Sequence, residues 1–326
     1  MKLEQIYELN IECGIRSDLR GVPAVKKQLE RVRMQYQTLS KEAQANFDTE
    51  LLINPYTDSR LLYGDLDTNV KKVLAGIDMQ SGEVAIADRI GNIDLIIAHH
   101  PEGKSLAKLD EQMHIQAEIL AAYGVPINIA QGAVKERIAQ VSRKLHGENT
   151  ERAVDAARLL DIPYLNAHTT CDNLSASFIK DALDKAKPQY VSEIMSVLKS
   201  IPEYQIAEKQ GTGPMIFAGA PGNYCGKVVV TEFTGGTNGA KQMYERMAHA
   251  GIGTIISMHI SEEHRKEAES NHLNVVVAGH MSSDSLGMNL FLDELEKRGV
   301  EIIPTSGLIR VSRNNSKNKK TKKLLK

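Results

Sequence analysis

His99 and His100 stand side by side at the end of an apolar run, in DLIIAHHP, with Pro101 directly after them. Proline has no N–H to give to a sheet, so pairing stops there and two imidazoles are left at a strand end. Neighbouring side chains of a strand face opposite ways, so both can serve one site only where the strand ends and twists. Two further stretches offer partners at the ends of other strands: LNAHTTCDN carries His168 and Asp172, and AGHMSSDSLG carries His280 and Asp284. A helix starting near Ser282 or Ser283, with a serine as its cap, puts Asp284 in the first turn and facing back to His280. His99, His100, Asp172, His280 and Asp284 then form a set of nitrogen and oxygen ligands without thiolate, suited to zinc, manganese, iron, cobalt or nickel. Five are more than one tetrahedral ion with an open position requires, whereas two divalent ions sharing a carboxylate use them all. Such a pair, about 3.5–4 Å apart, clamps a bridging water, lowers its pKa and steadies the charge of a hydrolytic transition state.

In that order and at comparable separations, DLIIAHHP, HTTCD and AGHMSSD resemble the three signature segments of the NIF-three-like proteins (NGG-interacting factor three), also labelled GTP cyclohydrolase 1 type 2 homologues. The resemblance runs from residue 70 to residue 312, and the first segment is its most specific part. It implies an α/β fold of mixed sheets covered by helices in two similar halves. It further implies a homohexameric toroid, a trimer of dimers, with a dinuclear metal centre facing its interior. Carried over by motif, the metal ligands fall on His99, His100, Asp172, His280 and Asp284. The family label implies a hydrolase opening the guanine ring of GTP, with metal-bound water as nucleophile; hydrolysis of a phosphoester or another small molecule fits the same ligands.

The chain departs from the family pattern at three places. Asp284 stands where glutamate is usual, one methylene shorter as a bridge between ions. INPYTDSRLLYGD occupies the place of a W-D-N-x-G-L-like segment. SMHISEEH replaces a Gly-Glu, leaving His259 at the glutamate's position. His259 is then an extra ligand or general base, although surface or core duty is the commoner fate of a lone histidine.

These residues need a scaffold. Residues 1 to about 50 read as helical, with Val25, Leu29, Val32 and Tyr36 spaced by three and four. From residue 71 strands and helices alternate: VKKVLAGID, IDLIIAHH, VPINIA and PYLNAHTTCD read as strands, with helices over SGEVAIADRIG, MHIQAEILAAYG, AVKERIAQVSRKLHG and ERAVDAARLLDI. A glycine-rich stretch, 210–240, punctuates at least two more strands. IGTIISMH, SEEHRKEAESNH and LNVVVAGH then make a strand-helix-strand unit, and SLGMNLFLDELEKRG with VEIIP closes the fold. The organisation expected is a helical segment over 1–70, a core over 71–312 with halves at about 71–190 and 205–312, and a basic tail over 313–326. In open α/β sheets ligands gather beyond the carboxyl ends of strands, where the histidines lie.

Composition sets wider limits. With 326 residues, 42% hydrophobic and 25% charged, the chain is long enough for a large core, and its net charge of -1 draws it to neither nucleic acid nor an anionic membrane. The exception is the acid-free end, RVSRNNSKNKKTKKLLK, which lacks the apolar content to pack and reads as a solvated tail rather than a nucleic-acid arm. Cys13, Cys171 and Cys225 form neither a disulfide framework nor a thiolate site, and with the absence of a signal peptide or spanning segment this fits a cytoplasmic protein. FTGGTNGAKQMYERM runs from glycines into a helix but lacks the Gly-Lys-Ser/Thr of a phosphate loop, so a plain turn is expected. His114 and Cys171 lie near the motifs without a spacing that singles them out. A non-catalytic metal-binding or regulatory scaffold that docks a protein partner is the alternative to a hydrolase, since no general acid is evident beside the ligands.

Overall fold

The computed structural model describes residues 1–314. Two mixed sheets organise the chain. The first holds β1 (Leu61–Tyr63), β4 (Tyr164–Asn166), β3 (Leu95–Ala98), β2 (Lys72–Gly76) and β9 (Glu301–Thr305) in that spatial order; the second holds β5 (Met215–Ala218), β8 (Asn274–Val277), β7 (Ile252–Ser257) and β6 (Lys227–Val230). In each, the strands run parallel except one antiparallel edge strand, β1 in the first and β5 in the second. β9, the last strand, pairs with β2 in the first sheet although its sequence neighbours β7 and β8 lie in the second.

The alternation of side chains along a strand builds the layers. Val73, Ala75, Leu95 and Ile97 face one way, onto Cys171, Leu174, Met288 and Phe291, while Leu74 and Ile96 face the other, onto Val84, Ala87 and Ala153. Val276 and Ile256 of the second sheet pack on Ala176, Ile179 and Leu286, and Val275 and Ile255 pack away from them on Leu120, Val134 and Met247. Two long helices, Thr169–Ala186 and His280–Lys297, therefore lie between the sheets with further helices outside. Their mutual contact is the most extensive between any two elements of the described residues and is permitted by Gly287: a Cβ there would fall 2.1 Å from the backbone oxygen of Cys171. Both helices begin at the carboxyl ends of strands, so their first turns meet where β3 stops.

Several elements differ from the sequence reading. VPINIA is not a strand: a helix runs over Ile127–Leu145, opened by Pro126, with Ala130, Val134 and Val141 buried along one face and Ile127 and Ile129 largely exposed. A short apolar run fits either element, and here the three-and-four spacing of the buried residues decides. The N-terminal helical stretch is three helices, Leu3–Arg16, Val22–Thr38 and the short Lys41–Ala45, which Ser40 caps by accepting from the Ala43 N–H. PYLNAHTTCD is strand only to Asn166; from Thr169 it is helix, so Asp172 sits in a first helical turn rather than at a strand end. The helix carrying Asp284 starts at His280, ahead of the serines. Gly279 turns the chain into it at φ 106°, with Ser282 Oγ only 2.7 Å from where a Cβ would lie, and both serine hydroxyls donate to the Gly279 carbonyl instead of capping.

The basic run over 315–326 lies outside the described residues. Arg310 pairs with Asp293 and Glu296, and Arg313, the first residue or so of the expected tail, pairs with the buried Glu203 at 2.7 Å. Residues 310–314 thus pack against the His280–Lys297 helix. The three cysteines are free and buried. Among the described residues no helix is long and apolar enough to cross a membrane.

Candidate metal centre

The backbone of His99 donates to Gly76 and that of His100 to Ile77, which carries the pairing with β2 past the end of β3 and holds both imidazoles in place. The buried Asn166 then clamps the turn, donating from Nδ2 to the His100 carbonyl at 3.0 Å and accepting the Glu102 N–H at 3.1 Å. Asp172 and Asp284 reach the same point from the two central helices. His99 Nε2 lies 3.3 Å from Asp172 Oδ1 and 3.4 Å from Asp284 Oδ1; His100 Nε2 lies 3.3 Å and His280 Nε2 3.6 Å from Asp284 Oδ2. All five residues expected from the sequence are brought together.

The other nitrogens fix which edge of each ring faces inward. His99 Nδ1 is 3.1 Å from the Ala167 carbonyl, His100 Nδ1 2.7 Å from Asp78 Oδ1, and His168 Nδ1 2.8 Å from Asp58 Oδ2. Each partner can only accept, so Nδ1 carries a hydrogen, and it is Nε2 that faces Asp172 and Asp284 and offers a lone pair there once its own proton has been displaced. Outward-donating imidazoles of this kind are the usual supports of a metal site. His99 Nε2, Asp172 Oδ1 and both oxygens of Asp284 are buried without a hydrogen-bond partner. Buried carboxylates and imidazoles facing one another in this way are costly unless a proton or a metal cation lies among them. The donor set therefore fits divalent metal. Two groups, His99 with His100 and Asp284, and His99 with His168 and Asp172, have ligand atoms within 4.8 Å of one another.

Charge in the metal-free site agrees. Burial alone would lower the His99 imidazole, but Asp284 and Asp172 hold it well above its ordinary value; His100, also pulled down by burial, is raised to about 9 by Asp284 and Asp78. Burial would raise Asp284, and the imidazoles around it outweigh that and keep it well below the carboxylate range. His280 and His259 are lowered, chiefly by burial. A metal must displace the proton of His100. Because that pKa is raised in the fold, the proton stabilises the metal-free protein below 6.5, and the contribution is lost as pH rises through about 9. Metal affinity is expected to climb across the same window, with proton release, as titrations in buffers of differing ionisation heat will show. A flat affinity would contradict the protonated site.

Three residues were not in the expected set. His168 opens the Thr169–Ala186 helix, four residues before Asp172, with Nε2 3.8 Å from Asp172 Oδ2; the i, i+4 spacing across a helix start was its signal. Asp58, from INPYTDSRLLYGD, is fully buried and also accepts from Thr169 Oγ1; burial would raise its carboxyl, but His168 and the hydroxyls hold it low. Nothing in the sequence alone pairs residue 58 with residue 168. Glu102 has its carboxyl pushed up to about 7 by burial, with Asp78 and His100 among its neighbours. Asp58→Asn, which no longer fixes the His168 tautomer, should weaken metal binding by about 10–100-fold while the protein stays folded; equilibrium dialysis measures it, and unchanged affinity would separate His168 from the site.

His114 is exposed at a helix start and takes no part, and Cys171 is buried against His99. The glycine stretch after β6 is a turn: the Thr237 N–H donates to the Gly235 carbonyl, and the carbonyls of Gly235 and Thr237 accept from Gln116 Nε2.

No family model and no curated protein matches the sequence. Solved structures do. A NIF3 superfamily protein from Sphaerobacter thermophilus is 28% identical over 77% of this chain and 92% of that one, with a TM-score of 0.71. In sequence and fold the chain is similar to the NIF3 superfamily. Reduced HcgD from Methanocaldococcus jannaschii matches this NIF3-like chain at 19% identity and TM-score 0.47, over 81% of this chain and 94% of that one. A Bacillus cereus protein related to NIF3 matches at 14% and 0.36, over 76% and 90%. The mixed sheets covered by helices are the NIF3-like fold, and the buried histidines and aspartates of this NIF3-like chain form groups able to hold metal.

Proposed function

We propose that the protein binds two divalent cations and is a metal-dependent hydrolase acting on a nucleotide or another small molecule, with GTP ring opening as one such reaction. Asp284 carries the proposal. Its two oxygens are both orphaned, and they face different imidazoles, Oδ1 toward His99 and Oδ2 toward His100 and His280. A carboxylate so placed could bridge two cations. His99, His168 and Asp172 would hold one cation and His100 with His280 the other, each sharing Asp284; the bound pair supplies Lewis acidity and a water of lowered pKa. Asp78, Asp58 and the Ala167 carbonyl keep the rings oriented. Glu102, two residues after His100 and pushed up to about 7 by burial, would be a carboxyl able to hold a proton near the site.

Incubation of metal-loaded protein with a panel of nucleotides and phosphoesters tests this reading. Turnover that disappears in His100→Ala supports hydrolysis. Stoichiometric metal with no turnover supports the second reading, a metal-binding or regulatory scaffold. That reading is favoured by one observation: among the described residues no lysine or arginine is hydrogen-bonded or ion-paired to any of the six ligands. Assembly as a homohexamer belongs to the same proposal and is supported by the exposed Met215 and Phe217 on the edge strand β5 and Leu159 beside the first sheet. Light scattering on the eluted protein gives the copy number, and a monomer would exclude the ring.

A further inference from the structure

The pairing of β9 with β2 ends at Thr305, yet the chain runs on past the metal centre. Residues 306–309 touch the immediate neighbours of three ligands. Ser306 bends back at φ 44°, a left-handed conformation uncommon outside glycine, and its carbonyl accepts the Ile77 N–H at 3.0 Å. Its Oγ donates to the Asp78 carbonyl at 2.5 Å. Ile77 and Asp78 are the residues that hold His100, the first by accepting its N–H and the second by facing its Nδ1. Gly307 follows at φ 82°, where a Cβ would lie 3.7 Å from Ile77 and 3.8 Å from Met281, the residue after His280. Ile309 then gives its N–H at 3.0 Å to the Oγ of Ser285, the residue after Asp284, and that hydroxyl donates to the Met281 carbonyl.

The far end is fixed as well. The buried Asn289 donates to the Ile309 carbonyl and accepts from Arg310, and Arg313 grips the buried Glu203 with two hydrogen bonds of 2.7 and 2.8 Å. A bidentate pair of this kind sets direction as well as strength. We infer that residues 306–309 are a positioning strap of the metal centre, which sets the gap between His100 Nε2 and Asp284 Oδ2, here 3.3 Å. These two ligands belong to different layers, a strand end and a central helix. The strap is hydrogen-bonded to the supports of one and to the neighbour of the other. Ser306 and Ser285 are positioning residues, not ligands. The inference rests on metal being held at these ligands and does not depend on the number of ions.

The test uses full-length protein stripped with chelator and refilled with cobalt(II). Dialysis gives affinity, visible absorption gives coordination, and urea gives the stability of the metal-free form. Ser306→Gly removes the hydroxyl but suits the left-handed backbone, so the urea midpoint should move little. Cobalt affinity should nevertheless fall by about threefold or more, short of the roughly 10–100-fold lost with a residue that touches a ligand, and the absorption bands should shift. Ser285→Ala leaves the Ile309 N–H without its acceptor and should shift the same bands. Wild-type affinity and bands in either variant would overturn the inference, as would a lowered midpoint with unaltered bands, the mark of a merely structural contact. His99→Ala, measured alongside, separates the failures. Full cobalt uptake by that variant removes the metal reading itself, whereas uptake lost there and unaltered in the strap variants removes only the strap.

Discussion

Asp284→Asn should leave the purified protein nearly free of metal. The amide preserves volume in a position that is fully buried, so packing against the central helix is kept. What changes is the charge and the donor pattern: one orphaned oxygen becomes an NH2 that presents hydrogens to imidazole lone pairs. Because Oδ1 faces His99 and Oδ2 faces His100 and His280, on the two-ion reading neither cation would retain its shared ligand. Wild-type protein dialysed against chelator-free buffer should hold two equivalents by elemental analysis, and the variant close to none. Removing even the outer support of a ligand costs about 10–100-fold in affinity, and removing a bridge costs both sites more. Retention of two equivalents by Asp284→Asn would show that the carboxylate is not a bridge.

Gly287→Ala should be among the most damaging single-methyl additions. The new Cβ would fall 2.1 Å from the oxygen and 2.7 Å from the carbonyl carbon of Cys171, and a backbone carbonyl inside a helix cannot swing away. The two central helices must separate. Overpacking of a well-filled interior costs about 1–3 kcal/mol and sometimes more, and this contact belongs at the upper end. Asp172 follows Cys171 directly and Asp284 lies one turn before Gly287, so the separation also draws the two carboxylates apart. A lower urea midpoint together with weakened metal binding is expected. An unchanged midpoint would mean that the helices are not in contact as described.

Much of the site could be read from residue order because its ligands come from local motifs. His99 and His100 follow an apolar run and precede proline, and strand ends in α/β sheets gather at one edge. The i, i+4 relation of His280 to Asp284 survives although the helix starts earlier than a serine cap suggested, since both starts put Asp284 within the first turns. The misread segments are those where local signals compete. VPINIA is too short for periodicity to decide, and HTTCD joins strand-like residues to a helix whose opening is set by tertiary contacts, His168 with Asp58 among them. Supports from remote sequence, such as Asp58 and Asp78, are legible only once the sheets have brought them beside a ring. The fold class follows from the strand and helix alternation, but the return of β9 to the first sheet does not, because pairing with β2 depends on register in space.

That return also bears on the order in which the site can be completed. The His280–Lys297 helix leaves the second sheet at one end and feeds β9 into the first at the other, where residue 305 lies beside residue 76. His99, His168 and Asp172 all come earlier in the chain than Asp284 and form a metal-capable group without it. On the two-ion reading, the side of the site that depends on His280 and Asp284 would therefore be the last to be assembled.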